Sequence, residues 1–159
     1  MSKEQIIQKI MAALSADLAL FSAAALTAHG AAAHAECRPD NKYDTTALEA
    51  SYLAQGQANR AQEIRAALES YRTLALQSFA GDAPIRLTAL ITLEGEEGGL
   101  RHLFLGPMAG GLKIDTNDGE IVVITPGSPL GRRLLGLRCG DEVRGGDEAA
   151  VLLTIVAVR

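Results

Sequence analysis

The chain has 159 residues, 48% of them hydrophobic but only 4% aromatic, with 15 basic and 19 acidic side chains and a net charge of −4. Core material is therefore present but largely alanine, which favours helices packed at close range over a thick globular core. No basic cluster exceeds Arg132-Arg133. Unaided binding to nucleic acid, which needs a basic face to neutralise phosphates, is not expected. Cys37 and Cys139 lie far apart and neither sits in a CxxC pair, which excludes a disulfide framework or zinc site and fits a reduced cytoplasm.

Composition divides the chain. Residues 1–76 contain one proline and two glycines, and residues 77–159 contain four prolines and fourteen glycines. The expected organisation is a helical hairpin over 1–76, a linker over 77–84 and an α+β domain over 85–159. In the first helix Ile7, Ile10, Met11, Leu14, Leu18, Phe21 and Ala25 follow three- and four-residue steps, with Ser2 as cap and Glu4 in the first turn. The stretch 12–35 is apolar, but Asp17, His29 and His34 interrupt it and most of it is alanine. A membrane span needs roughly 20 strongly apolar residues and is not expected here. Nor is a signal peptide.

The second helix takes its stripe from Leu48, Tyr52, Ile64, Leu68, Tyr71 and Leu74, with a thin polar middle over 55–62 and Pro39 in its first turn. The connection falls near 34–38. Two helices of roughly 30 residues, each about 45 Å long, would then run antiparallel as a slim projecting rod. Strands are expected over 85–93, 100–105, 110–115, 120–125, 141–144 and 150–158, with Asn117-Asp118-Gly119 as a hairpin turn. One short helix over 129–135 has Ser128 as cap, Pro129 at its first position and Gly136 past its end. These elements predict a small antiparallel sheet carrying one helix.

The run from Thr125 through Pro-Gly-Ser128-Pro129-Leu130-Gly-Arg132-Arg133-Leu134-Leu135-Gly-Leu-Arg-Cys-Gly-Asp-Glu to Val143 resembles the C-terminal signature of the GreA/GreB transcript-cleavage factors. The order of elements is similar too: a helical hairpin, then an FKBP-like antiparallel β domain with one short helix. The resemblance implies a cytoplasmic, monomeric elongation factor that binds bacterial RNA polymerase, reaches RNA only through it, and inserts the hairpin into its secondary channel. It also implies docking through Ser128, Pro129, Leu130, Arg132, Arg133, Leu134 and Leu135. At the hairpin tip it implies carboxylates that share a Mg²⁺ ion with polymerase and so stimulate cleavage of backtracked RNA. Oxygen ligands suit that hard ion.

The tip departs from the family pattern, which is an Asp and a Glu three residues apart followed by Asn. Laying Asp40-Asn41 on Glu-Asn leaves Cys37 at the Asp position, and laying Asp40 on the Asp leaves Tyr43 at the Glu position. The available pairs are Asp40 with Asp44, at i and i+4 on one helix face, or Glu36 with Asp40. Asp40 and Asp44 are the metal and catalytic candidates, with Glu36 in reserve. Acidic residues also serve simply to favour a helix start. Three readings stay open: a cleavage factor, a channel-binding regulator of the same shape without cleavage activity, and an FKBP-like peptidyl-prolyl isomerase. The last needs an aromatic-lined pocket, and the second half holds only Phe79 and Phe104. His29, His34 and His102 form no ligand spacing, and Glu94, Glu96 and Glu97 read as a solvated loop.

Overall fold

The computed structural model describes residues 1–36, 46–145 and 151–159. The elements are α1 (Lys3–Glu36), α2 (Thr46–Arg72), β1 (Leu90–Gly95), β2 (Leu100–Leu105), β3 (Lys113–Thr116), β4 (Gly119–Ile124), α3 (Pro129–Leu134), β5 (Glu142–Gly145) and β6 (Val151–Val158). A helical pair thus precedes a small six-stranded domain with one short helix. Two compact units result: Met11–Glu69, and Met1–Ile10 together with Ser70–Arg159. The division cuts through both long helices, because the first turns of α1 are buried in the sheet unit.

In the helical unit, alanine keeps the backbone helical and the side chains short. The Arg60 guanidinium lies 5.9 Å from the Phe21 ring centroid. Further along, Ala25, Leu26 and His29 of α1 share a groove with Ser51, Ala54, Gln55 and Ala58 of α2. Rising numbers on one helix meet falling numbers on the other, so the pair is antiparallel. Leu14 and Ile64 are buried as the spacing predicts, but Leu48 and Tyr52 are exposed at 54% and 70%. Ala54 and Ala61 take the buried positions instead. The seam is too thin here to admit large side chains, so the small ones face inward.

In the sheet unit, Ser2 and Gln5 close a reciprocal cap on α1: Gln5 N donates to Ser2 Oγ at 3.3 Å and Ser2 N donates to Gln5 Oε1 at 3.0 Å. Ile6 and Ile10 are fully buried. Lys9 Nζ donates to the Asp115 carbonyl at 2.9 Å. By length and composition, Lys3–Thr27 passes the test for a membrane span, at mean hydropathy 1.7. Its first turns are nonetheless engaged with the sheet.

The strands lie in the order β3-β4-β2-β1-β6-β5. All pairings are antiparallel except β2 with β4, which is parallel, so the sheet is mixed rather than wholly antiparallel. The reason lies in side-chain character. Ile121, Val122, Val123 and Ile124 are apolar on both faces, which suits an interior strand, whereas Lys113 and Asp115 put charge on β3 and send it to the edge. β4 therefore inserts between β2 and β3. One face carries Ile91, Leu93, Leu103, Ile124, Leu153 and Ile155 in a cluster with Leu134 of α3. The other presents Leu90, Phe104, Ile121 and Val123, all buried, on the side of Ile6 and Tyr71.

The first strand starts five residues later than its apolar run suggests. Thr88 has φ 72°, an unusual value for a β-branched residue, and it breaks extended geometry. Its N–H donates to the Leu105 carbonyl at 2.8 Å and its Oγ1 accepts from Gln77 N at 2.9 Å. Those long-range bonds hold the kink. Ile85 instead exchanges backbone bonds with the segment after α3, donating to Leu137 O at 2.7 Å and accepting from Gly136 N at 2.9 Å.

Candidate functional site

The segment that carries the family resemblance folds as turn, helix, turn and strand. Thr125 follows β4, and its carbonyl accepts from Ser128 N at 3.0 Å and from Ser128 Oγ at 2.7 Å. Ser128 Oγ in turn accepts from Gly131 N at 3.1 Å, an N-cap that satisfies a free helical N–H. Pro129 occupies the first turn, where its missing N–H costs nothing. Gly136 closes the helix at φ +82°.

Gly131 was not singled out from the sequence, yet it is the tightest position in the segment. A Cβ placed there would lie 1.9 Å from the Thr125 carbonyl oxygen. The helix can lie on the end of β4 only because this residue has no side chain. The signal available in advance was the position itself, a glycine inside a capped helix, where it is otherwise unfavourable.

The expected docking residues separate into two groups. Leu134 is fully buried in the sheet core, where it anchors α3 from beneath. Ser128 is spent on the cap. Pro129, Arg132, Arg133 and Leu135 are exposed, and Leu130 is half-buried beside a cavity. Arg132 Nε donates to Gly127 O at 2.9 Å and Arg133 Nη1 donates to Arg144 O at 3.0 Å. Each guanidinium keeps other donors for a partner.

Beyond α3, Arg138 Nη1 binds both Asp82 O and Asp82 Oδ2 at 2.8 Å, and Arg138 N donates to Asp141 Oδ2 at 2.8 Å. Gly140 turns at φ +94°, with its N–H on Ile155 O at 2.7 Å. Val143 then enters the core. Much of the signature therefore builds this corner, and Pro129, the exposed arginines and Leu135 are among the residues it leaves on the surface.

Asp40 and Asp44, with Cys37, Pro39 and Tyr43, lie outside the described residues. Glu36 is the last residue of α1, but its side chain lies outside the description, as does that of His34. The chain between Glu36 and Thr46 joins the two helices at one end of the pair. Among the described residues no group of three or more His, Cys, Asp or Glu could hold a metal ion. His29 lies in the inter-helix groove, and His102 meets Thr92 Oγ1 through Nδ1 at 3.1 Å. Cys139 is exposed, with Sγ 3.2 Å from Val156 O.

No family model matches the chain, and no curated protein matches it. Solved structures do. The crystal structure of the GreA factor homolog 1 (Gfh1) protein of Thermus thermophilus is 20% identical, covers 94% of each chain and has a TM-score of 0.41. A second structure, of the transcription factor Gfh1, is 20% identical, covering 94% of this chain and 92% of that one at 0.42. Thermus aquaticus Gfh1 is 19% identical, with coverage of 92% and 91% and a TM-score of 0.40.

Proposed function

We propose that this chain is a Gre-like transcription elongation factor that binds bacterial RNA polymerase. The observation that carries the reading is the corner from Thr125 to Val143, where the residues resembling the Gre signature form a capped helix with Pro129, Arg132, Arg133 and Leu135 on its surface. An antiparallel helical pair precedes it, as the reading requires. In this reading the corner docks on polymerase and the helical pair enters the secondary channel, with no membrane involved and with RNA reached only through polymerase. The factor acts in the cytoplasm by changing polymerase activity, and is not an enzyme alone.

The residues proposed to face the polymerase active centre are Asp40 and Asp44, with Glu36 in reserve. Their carboxylates are of the donor class that suits Mg²⁺. That ion, when shared with polymerase, would activate water and stabilise the leaving oxygen. Replacing Asp40 and Asp44 together by Ala should abolish stimulated cleavage in stalled elongation complexes while leaving polymerase binding nearly intact. Unchanged cleavage would reject the assignment. If the wild-type chain binds but never stimulates cleavage, the second reading stands: a channel-binding regulator whose tip lacks the family's paired carboxylates.

The isomerase reading is disfavoured by the placement of the rings. Phe104 is fully buried, and Phe79 lies between Lys3 Nζ, 4.2 Å from its centroid, and the Arg86 guanidinium at 4.6 Å. Neither lines the cavity beside α3.

A further inference from the structure

The helix α3 has six residues, so it covers only part of the sheet face beneath it. Beside it lies a cavity of about 640 Å³, within the range of small-molecule sites. Val122, Ile124 and Leu130 of α3 face it, with the buried Leu93, Leu103 and Leu153 packed directly beneath. Among the described residues no Phe, Tyr or Trp lines it, and His102 is the one ring-bearing residue at its edge. An aliphatic chain suits these largely aliphatic walls better than a flat ring, because no Phe, Tyr or Trp face among the described residues is there to stack on.

The rim supplies the polarity. Leu100 stands there at 58% exposure, with Arg101, Lys113 and Glu120. Lys113 is neutralised by Glu120 at 3.1 Å. Arg101 is exposed and has no ion pair or hydrogen bond to the other described residues. Asp118 also lines the rim, with its carboxylate 3.9 Å from the Met1 amino group. With both pairs accounted for, the guanidinium is the one charge on the rim without an ion pair among the described residues, and its fork matches a carboxylate.

We infer that this cavity binds a medium-chain aliphatic carboxylate, with the chain against Val122, Ile124 and Leu130 and the carboxylate on Arg101. The site is separate from the proposed tip, and its occupancy does not depend on polymerase. The probe is decanoate, with decanol and decylamine as charge controls, titrated into the full chain and followed by methyl NMR. Decanoate should saturate, with shifts centred on Leu93, Leu103, Leu130 and Leu153. Arg101→Ala, at an exposed position, should weaken decanoate by roughly tenfold or more and leave decanol unchanged, the loss expected for one charge-assisted pair.

Gly145→Ala gives an independent check. A Cβ there would lie 2.6 Å from Leu153 Cδ1 and push that side chain, so it should weaken decanoate and decanol alike. The inference is overturned if decanoate gives no saturable shift, if decylamine binds as tightly, or if Arg101→Ala binds equally well. Shifts confined to exposed Leu20 and Leu26 of the helical unit would overturn it too, because they would mean surfactant adsorption.

Discussion

Tyr71 shows how one side chain joins distant segments. It is 2% exposed, and its hydroxyl donates to the Met108 carbonyl at 2.8 Å. Gly106 makes room for it, since a Cβ there would lie 2.1 Å from the hydroxyl oxygen. Burial pushes the phenol well above its ordinary range. A raised folded-state pKa means the folded chain holds this proton more tightly than the unfolded one. The resulting stability is complete below the ordinary tyrosine range and is lost as pH rises through and beyond it. Tyr71→Phe should cost about 1 kcal/mol near neutral pH in urea unfolding and flatten the loss of stability above about pH 10. At Gly131, substitution by Ala should cost about 3 kcal/mol, because backbone rather than a movable side chain fills the space. A melting temperature close to wild type would contradict that.

At the scale of the element, the helical pair and α3 differ in what holds them. The pair rests on a narrow seam in which Leu14, Ile64 and Leu68 are the large buried members and Ala54, Ala61 and Ala67 take other buried positions. Ile64→Ala should cost about 2–5 kcal/mol, whereas Leu48→Ala, at an exposed position, should cost less than about 0.5 kcal/mol. Thermal unfolding followed by circular dichroism compares the two. α3 is too short to persist by propensity, and it depends on its cap and on Leu134. Ser128→Ala should remove about 1 kcal/mol. If the corner docks as proposed, the same change should also weaken polymerase binding by loosening the surface that presents the arginines.

For the whole molecule, the proposal assigns different tasks to the two compact units. Arg132→Ala with Arg133→Ala should reduce co-migration with polymerase by roughly tenfold, by removing two exposed cations from the docking corner. The Asp40 and Asp44 double change should spare binding and remove cleavage. Opposite outcomes, with the arginines affecting cleavage alone and the aspartates affecting binding alone, would invert the assignment. The net charge of −4 bears on both tests, since an acidic chain gains little from direct contact with RNA.

The helices, the capped α3 and most strands were legible in the sequence because they rest on local signals: alanine-rich three- and four-residue steps, Ser-Pro before a short apolar turn, glycine after it, and Asn-Asp-Gly between strands. The candidate site was legible as a motif, but the motif did not separate Leu134, which is core, from Pro129, Arg132 and Arg133, which are surface. Nor did it disclose that Gly131 lies against the Thr125 carbonyl. Three further features are tertiary. The kink at Thr88 is held by bonds to Gln77 and Leu105, the parallel placement of β4 beside β2 follows from burial on both faces, and the cavity exists because a six-residue helix cannot cover the sheet. Local chemistry thus determined which segments are helix or strand. Partners far apart in the chain decided which residues of the signature are spent on folding and which stay exposed, because burial depends on what packs against a residue and not on its neighbours in sequence.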